Sequence, residues 1–226
     1  MFSVIVCSAD PAKQGAIRAQ YDSALAGEPF EFVLIENPSS LCQGYNHGFA
    51  QSRGDIIVFS RDDIEILSVD FPQAINAALS QFDLVGVAGT SRLAGASWIA
   101  AGRPYLHGQI VATWNGRKWR NCYGPPSDKL EALDGVFLAA RRTVCDSVQF
   151  DEKTFDGFHL YDLDFTHRAF LAGFKLGLCD IELLHYSIGE GGGWERYAER
   201  FISKHRASLR PNLFRTEGPQ WAVIWL

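Results

Sequence analysis

The sequence has 226 residues, of which 47% are hydrophobic and 21% charged, a composition typical of one globular domain. Its formal net charge of -5 excludes the broad basic surface that non-specific nucleic-acid binding requires. We therefore expect no nucleic-acid partner.

The cysteines and the two ends of the sequence indicate where the protein works. Five cysteines are spread over different predicted elements without a Cys-x-x-Cys pair, which favours a reducing compartment over a disulfide framework or zinc site. Residues 1–10 lack the basic start of a signal peptide, and no apolar run approaches a membrane-spanning length. We expect a cytoplasmic protein. The apolar residues 221–226 would pack as a last strand, join two subunits of a homodimer, or touch the inner face of a membrane.

Alternating strands and helices are predicted over the first 88 residues, which we expect to form a nucleotide-binding half of a single domain. Apolar β-branched runs predict the strands, and capping and breaking residues bound the helices. Because helices join successive strands, this order predicts a parallel sheet with right-handed crossovers. The predicted strands are 2–7, 30–35, 56–59 and 84–88, and the predicted helices are 12–25, 44–52 and 71–81.

The character of the sequence changes at residue 89. Residues 89–127 are rich in Gly, Pro and aromatic residues, and an alternating stretch before Asn115-Gly116 predicts an inserted β-hairpin. We expect residues 89–193 to form the second half of the same domain, followed by a C-terminal helix and tail over 194–226. Further strands are predicted at 133–139 and 175–184, and helices at 165–172 and 194–209.

Two acids, Asp62 and Asp63, end the buried strand at 56–59. Unpaired charge is costly to bury, and the carboxyl edge of an open α/β sheet is where ligands bind. Carboxylate oxygens suit Mg²⁺ or Mn²⁺ carrying a phosphate. The hypothesis is that this corner holds a divalent metal and the diphosphate of a nucleotide. The alternative is that the two acids begin a solvated turn or cap the next segment.

Other polar residues border the predicted strands in the same way. Each alone has an ordinary explanation as a helix cap, a solvated loop acid or a structural histidine. Together they are expected to converge on one edge of a parallel sheet and form one site. These residues are Ser8, Glu36, Asp134, Asp162, Asp164 and His185.

The order of these motifs resembles family 2-type glycosyltransferases of the GT-A fold, over about residues 1–193. The most specific piece, YDLDFTHRAFLAGFKLG, resembles the acid-plus-arginine helix of that family. The resemblance is closest to a bacterial subgroup with a degenerate DxD motif. It implies a GT-A-like α/β fold with a Rossmann-type, mostly parallel sheet flanked by helices. The matching motifs are SVIVCS, FVLIENPS, GYNHGFAQSRGDIIVFSRDDIEI, LDGVFLAARR and FHLYDLDFTHRAFLAGFKLGLCDIELLHYSIG.

The resemblance implies transfer of a sugar from a nucleotide-sugar donor, a UDP-sugar in most members, to a hydroxyl of a glycan or similar acceptor. In inverting members an acid deprotonates that hydroxyl, and Asp162 matches its position, with Asp164 as a possible substitute. Asp62 and His185 would bind the Mn²⁺ or Mg²⁺. Other donor contacts would come from Ser8, Glu36, Asn46 and Asp63, and the acceptor groove from Asp134, Gly135 and Trp194.

Three positions depart from the family pattern. Ser60 replaces the first acid of the DxD motif, Tyr161 replaces the Glu of a Glu-Asp pair, and Tyr45 replaces an Arg before Asn46. These changes leave open a non-catalytic module, derived from a transferase, that binds a nucleotide sugar or a glycan. A nucleotidyltransferase is a weaker alternative, because residues 8–15 contain one lysine and one glycine where a basic, Gly-rich phosphate loop is expected.

Overall fold

The computed structural model describes residues 1–114, 116–186 and 192–211. Its helices are α1 (Pro11–Ala24), α2 (Leu41–Gln51), α3 (Phe71–Leu79), α4 (Arg142–Ser147), α5 (Tyr161–Leu171) and α6 (Trp194–His205). Its strands are β1 (Phe2–Ser8), β2 (Phe30–Glu36), β3 (Ile56–Ser60), β4 (Ile64–Ile66), β5 (Leu84–Gly86), β6 (Ala88–Thr90), β7 (Leu106–Trp114), β8 (Arg117–Gly124), β9 (Ala132–Leu133), β10 (Phe137–Arg141), β11 (Leu176–Leu178) and β12 (Leu183–His185).

The central sheet has six strands in the order β11-β5-β10-β3-β1-β2. β1 pairs in parallel with both β2 and β3, as the β-α-β-α-β opening predicts, and every residue of β1 is buried. β10 is antiparallel to both of its neighbours, β3 and β5. The predicted α/β architecture with a mostly parallel sheet and flanking helices is confirmed, and it brings the carboxyl ends of β1 and β3 side by side.

A second sheet has the strand order β4-β12-β7-β6-β9, and the chain passes between the two sheets at several points. Val87 separates β5 in the central sheet from β6 in the second, so the single strand predicted over 84–88 was wrong. The strand predicted over 133–139 divides in the same way, with residues 134–136 turning between β9 and β10. The strand predicted over 175–184 is also two strands, β11 and β12. Each of these apolar runs crosses from one sheet to the other.

The predicted hairpin is present, since β7 and β8 pair antiparallel from Gly108 to Trp114. Asn115 of its predicted turn lies outside the described residues, and so do residues 221–226. β8 is exposed along most of its length and pairs with β7. Within the described part of the chain, no helix is both long and apolar enough to cross a bilayer.

Caps explain where the first helices begin. The Asp10 side chain accepts a hydrogen bond from the backbone N–H of Ala12, and Pro11 occupies the first turn of α1, where its missing N–H costs nothing. The Ser40 hydroxyl accepts one from the N–H of Gln43 in the same way. α2 therefore begins at Leu41, three residues before the predicted start.

A cluster of buried aromatic rings lies under the carboxyl edge of the sheet. Phe150 stacks on Phe165 with ring centroids 4.2 Å apart, and Phe59 meets Phe150 edge-on at 4.9 Å. Tyr45 packs against Phe59 at 5.1 Å. Such pairs stabilise beyond their buried area by about 0.5–1.5 kcal/mol each. The cluster joins α2, β3 and α5 into one rigid support.

Candidate active site

The first part of the site is a corner where β1 and β3 end. Val6 is in register with Ser60, so the residues that follow on each strand meet at the same edge. There the Ser8 hydroxyl donates a hydrogen bond to Asp62 Oδ2 over 2.7 Å. Two residues that are 54 positions apart in the sequence are thus in direct contact, as expected for strand ends in a parallel sheet.

The second acid of the pair, Asp63, contacts a different set of residues from Asp62. Arg61 donates to both Asp63 oxygens, at 3.0 and 3.1 Å, and His185 Nε2 lies 3.4 Å from Oδ1. Burial alone would raise the pKa of the Asp63 carboxyl, but the nearby His185 and the hydrogen bonds and charge of Arg61 hold it well below its usual range. Because β12 pairs with β4, the structure brings His185 to Asp63, whereas the resemblance pairs it with Asp62.

The described residues contain no group of three His, Cys, Asp or Glu side chains that could hold a metal ion. Asp62 already accepts from Ser8 through Oδ2, and both oxygens of Asp63 accept from Arg61. The 3.4 Å separation between His185 and Asp63 is beyond the usual N–H···O hydrogen bond, and we treat it as an electrostatic contact. The corner is therefore not a preformed metal cage.

Another part of the site is the first turn of α5. There Asp162 Oδ2 accepts a hydrogen bond of 2.8 Å from the backbone N–H of Gly135. Burial, and then the negative charge of Asp134, raise the pKa of Asp162 to about 6, although backbone N–H donors act in the opposite direction. A carboxylate with this pKa is ionised at neutral pH and is more basic than an ordinary aspartate. It is therefore suited to accept a proton from a hydroxyl.

Tyr161 connects the two sides of the site. Its hydroxyl donates to the Gly135 carbonyl over 2.9 Å, and the Arg61 guanidinium interacts with the same hydroxyl. The position that departs from the Glu-Asp pattern is thus buried and supports the turn on which Asp162 rests. Sequence reasoning does not single out Arg61, and it treats Tyr161 only as a departure from the family pattern, because the roles of both residues depend on contacts between the end of β3 and α5.

Asp164 lies two residues beyond Asp162 and faces the opposite side of α5. Its side chain is 1% exposed, and Arg168 Nε donates to it over 2.8 Å. From α6, His205 Nε2 lies 2.7 Å and Lys204 Nζ 2.6 Å from Asp164 Oδ1. This placement favours a structural role for Asp164, since it is neutralised by charged neighbours and joins α5 to α6.

The other predicted donor and acceptor residues are spread around the site. Glu36 is exposed at the end of β2 and in register with Ser8, beside the corner. Asn46 exchanges two hydrogen bonds, each 2.9 Å, with the backbone of Phe150, so it supports the aromatic cluster. Trp194 is the first residue of α6 and lines a groove whose other wall is formed by residues 94–97 and Ala100. The structure therefore brings Glu36 to the site edge, while Asn46 and Trp194 contact other parts of the molecule.

The sequence matches a family described as "Glycosyltransferase like family" over residues 3–185, more than half of the chain. The chain belongs to this family. No curated protein sequence matches it.

Solved structures show that this glycosyltransferase-like chain has the GT-A fold. S. aureus TarS residues 1–349 align with a TM-score of 0.55 at 14% identity, covering 90% of this chain and 71% of TarS. GalNAc-T7, solved with UDP, GalNAc and Mn²⁺, aligns with a TM-score of 0.57 at 10% identity. The alignment covers 91% of this chain and 48% of GalNAc-T7. The mannosyltransferase PcManGT from Pyrobaculum calidifontis, solved with GDP-Man and Mn²⁺, aligns with a TM-score of 0.50 at 11% identity. The alignment covers 89% of this chain and 60% of PcManGT.

Proposed function

We propose that this protein transfers a sugar from a nucleotide sugar to an acceptor hydroxyl, with Asp162 as the general base. The observation that carries the proposal is the position of Asp162. Its carboxylate is fixed by Gly135, its pKa is raised to about 6, and Tyr161 and Arg61 connect it to the corner of Ser8 and Asp62. A base and a polar corner at the carboxyl edge of one sheet are the two parts that glycosyl transfer needs.

The proposed reaction has one displacement step. The donor's diphosphate lies at the corner of Ser8, Arg61 and Asp62, and the acceptor hydroxyl lies against Asp162. The hydroxyl oxygen forms a bond to the anomeric carbon as the bond from that carbon to the diphosphate breaks. The hydroxyl proton passes to Asp162, and the electron pair leaves with the nucleoside diphosphate. Attack from the face opposite the leaving group inverts the anomeric configuration.

Arg61 contributes positive charge at this corner. It is held by Asp63, its side chain is 29% exposed, and two of its N–H groups serve that ion pair. A guanidinium carries five N–H donors in a planar fork suited to phosphate oxygens. Arg61 is thus positioned to orient the diphosphate while Asp63 fixes its side chain.

A divalent metal would enter this site with the donor. Mg²⁺ is commonly held by one or two carboxylates together with substrate phosphates, and Asp62 fits that requirement better than it fits a three-ligand cage. Such an ion would neutralise charge that develops on the leaving diphosphate. Two structural relatives were solved with Mn²⁺, one beside UDP and one beside GDP-Man, so Mn²⁺ and both nucleotides belong in the test.

The remaining details of the proposal follow the family resemblance. In this proposal the donor is a UDP-sugar, as the resemblance implies, or a GDP-sugar, as in one structural relative, and the acceptor is a glycan-type hydroxyl compound. The spread of the cysteines supports a location in the cytoplasm, with the inner face of the membrane as a further possibility. Residues 221–226, which lie outside the described residues, would pack as a last strand or supply a homodimer or membrane contact.

The experiment that tests donor binding is a thermal-shift panel of UDP, GDP and their sugars, with and without Mn²⁺. A ligand that binds the folded state raises its melting temperature by mass action. We expect one nucleotide series to raise it, more strongly with Mn²⁺, and the Mn²⁺ increment to disappear in Asp62→Ala. A shift that does not depend on metal would remove Asp62 from the ligand set. No shift with any nucleotide would contradict the proposed function.

A further inference from the structure

Trp98 is a buried residue whose polar atom points at the candidate site. It opens a short 3-10 turn, Trp98–Ala101, and is 6% exposed. Its indole Nε1 donates a hydrogen bond to Asp134 Oδ2 over 2.8 Å. Tyr123 packs edge-on against the indole, with ring centroids 4.7 Å apart. A buried indole N–H needs a partner, and a carboxylate makes that hydrogen bond charge-assisted and strong.

The second oxygen of Asp134 is also fixed. Oδ1 accepts a hydrogen bond of 2.9 Å from the backbone N–H of Val136. Trp98 and Val136 together therefore set both the position and the rotation of this carboxylate. The sequence does not connect Trp98 with Asp134, because no spacing within its Gly- and Ala-rich segment indicates a partner 36 positions away.

Asp134 is joined to Asp162 through Gly135, the middle residue of the turn between β9 and β10. Gly135 donates its N–H to Asp162 Oδ2, and a Cβ at Gly135 would lie 2.4 Å from Asp162 Cβ. This close approach leaves no room for a side chain between the two acids. The carboxylates of Asp134 and Asp162 are thus held near each other by a rigid turn.

We propose that Trp98 is a positioning residue for Asp162, because its indole N–H holds Asp134 as an oriented carboxylate beside it. The catalytic consequence rests on the proposed function, whereas the physical link between the three side chains does not. Trp98 fixes the carboxylate of Asp134 by a hydrogen bond. The negative charge of Asp134 in turn repels the negative charge of the ionised Asp162.

The groups that face this pair are few among the described residues. Asp134 is the charged neighbour that raises the pKa of Asp162, after burial. On the side of Trp98 lies the Tyr123 hydroxyl, whose pKa burial and the Asp134 charge raise to about 12. On the side of α5 lies the Tyr161 hydroxyl, with the Arg61 guanidinium beyond it. Both tyrosines are neutral over the range in which Asp162 titrates, so Asp134 dominates the coupling.

The direction of the effect of Trp98→Phe follows from this arrangement. Without the indole N–H, Asp134 Oδ2 loses the donor that fixes it, and the carboxylate is free to rotate away from Asp162. Asp162 then experiences less negative charge and ionises at lower pH. Asp134→Asn removes the charge directly and is expected to lower the Asp162 titration midpoint by about one pH unit, with Trp98→Phe giving about half of that.

The experiment is an NMR titration of the Asp162 side-chain carboxyl carbon in protein labelled with ¹³C-aspartate. The signal is assigned by its absence in Asp162→Asn. We expect a midpoint of about 6 in the wild type, and lower midpoints in Trp98→Phe and Asp134→Asn. Trp119→Phe is the matched control, since Trp119 is 54% exposed on β8, and its midpoint should equal the wild-type value.

The outcomes separate this inference from the proposed function. A folded Trp98→Phe variant with the wild-type midpoint would overturn the role of Trp98. If Trp98→Phe does not fold, Asp134→Asn decides, and a wild-type midpoint there would overturn the coupling. The pH profile of nucleoside diphosphate release should shift in the same direction as the NMR midpoint in each variant. A protein that releases no nucleoside diphosphate but shows the expected NMR shifts would contradict the proposed function alone.

Discussion

The buried carboxylate of Asp164 offers the sharpest test of how α6 is attached to the rest of the molecule. Asp164→Asn keeps the size of the side chain but removes its charge, so Arg168 and His205 lose their anionic partner, while Lys204 keeps its second ion pair with Asp151. Breaking a buried ion pair by removing one member costs about 3–5 kcal/mol. Arg168 and Lys204 side chains are each 25% exposed and can turn toward water, so we expect about 3 kcal/mol.

The assay is urea unfolding at pH 7 of the wild type, Asp164→Asn and a matched control, Asp22→Asn. Asp22 also forms an i,i+4 pair with an arginine, Arg18, but both side chains are about half exposed, at 49% and 51%. Exposed pairs of this kind contribute less than about 1 kcal/mol. A loss in Asp164→Asn no larger than the loss in Asp22→Asn would refute the structural role of Asp164.

The stability lost in Asp164→Asn should depend on pH in a defined direction. Burial raises the pKa of Asp164, but the hydrogen bond from His205 and the charges of Arg168 and Lys204 lower it more, so the net pKa is depressed. The stability it contributes is therefore complete above its unfolded pKa of about 3.9, and it is lost as pH falls through the lower folded value. The difference in unfolding free energy between wild type and Asp164→Asn should be constant from about pH 7 to 5 and shrink below about 4. A difference that grows on acidification would contradict this reasoning.

Two further substitutions test the support of the site. Gly135→Ala places a Cβ 2.4 Å from Asp162 Cβ, so Asp162 must move, and we expect nucleoside diphosphate release to fall by about 10²-fold while nucleotide binding in the thermal-shift assay persists. Asn46→Ala removes both hydrogen bonds to the Phe150 backbone, and urea unfolding should show a loss of about 1–3 kcal/mol, with Asn76→Ala on the outer face of α3 as the control.

The order of the elements was predictable from the sequence because the apolar runs of the first half are short and clearly bounded. β1, β2 and β3 begin at or within one residue of their predicted starts, and α1 begins one residue early, at Pro11. Leucine and valine patterns could not show that the chain changes sheets at Val87, since a buried residue looks the same in either sheet. The start of α5 was misplaced for another reason. Leu160 adopts a left-handed conformation (φ 59°) ahead of the helix, without the Ser, Thr, Asp or Asn that normally marks a start.

The candidate site was predictable only in part. The contact between Ser8 and Asp62 follows from strand order alone, since both residues end neighbouring parallel strands. The partner of His185 depends on how β12 pairs with β4, and that pairing leaves no signal in the sequence. The partner of Trp98 is equally hidden in the sequence, because Asp134 lies in a turn that joins the two sheets. Residues that act through tertiary contacts were therefore found only in the structure.

The most direct test of the central claim is nucleoside diphosphate release from UDP- and GDP-sugars by wild type and Asp162→Asn, with water and simple glycans as hydroxyl acceptors. We predict release by the wild type with an acid limb at about pH 6, and a loss of at least about 10²-fold in Asp162→Asn while nucleotide binding is unchanged. Equal release by the two proteins would contradict the role of Asp162 as the base. Nucleotide binding without release by the wild type under any of these conditions would indicate a binding module instead of a transferase.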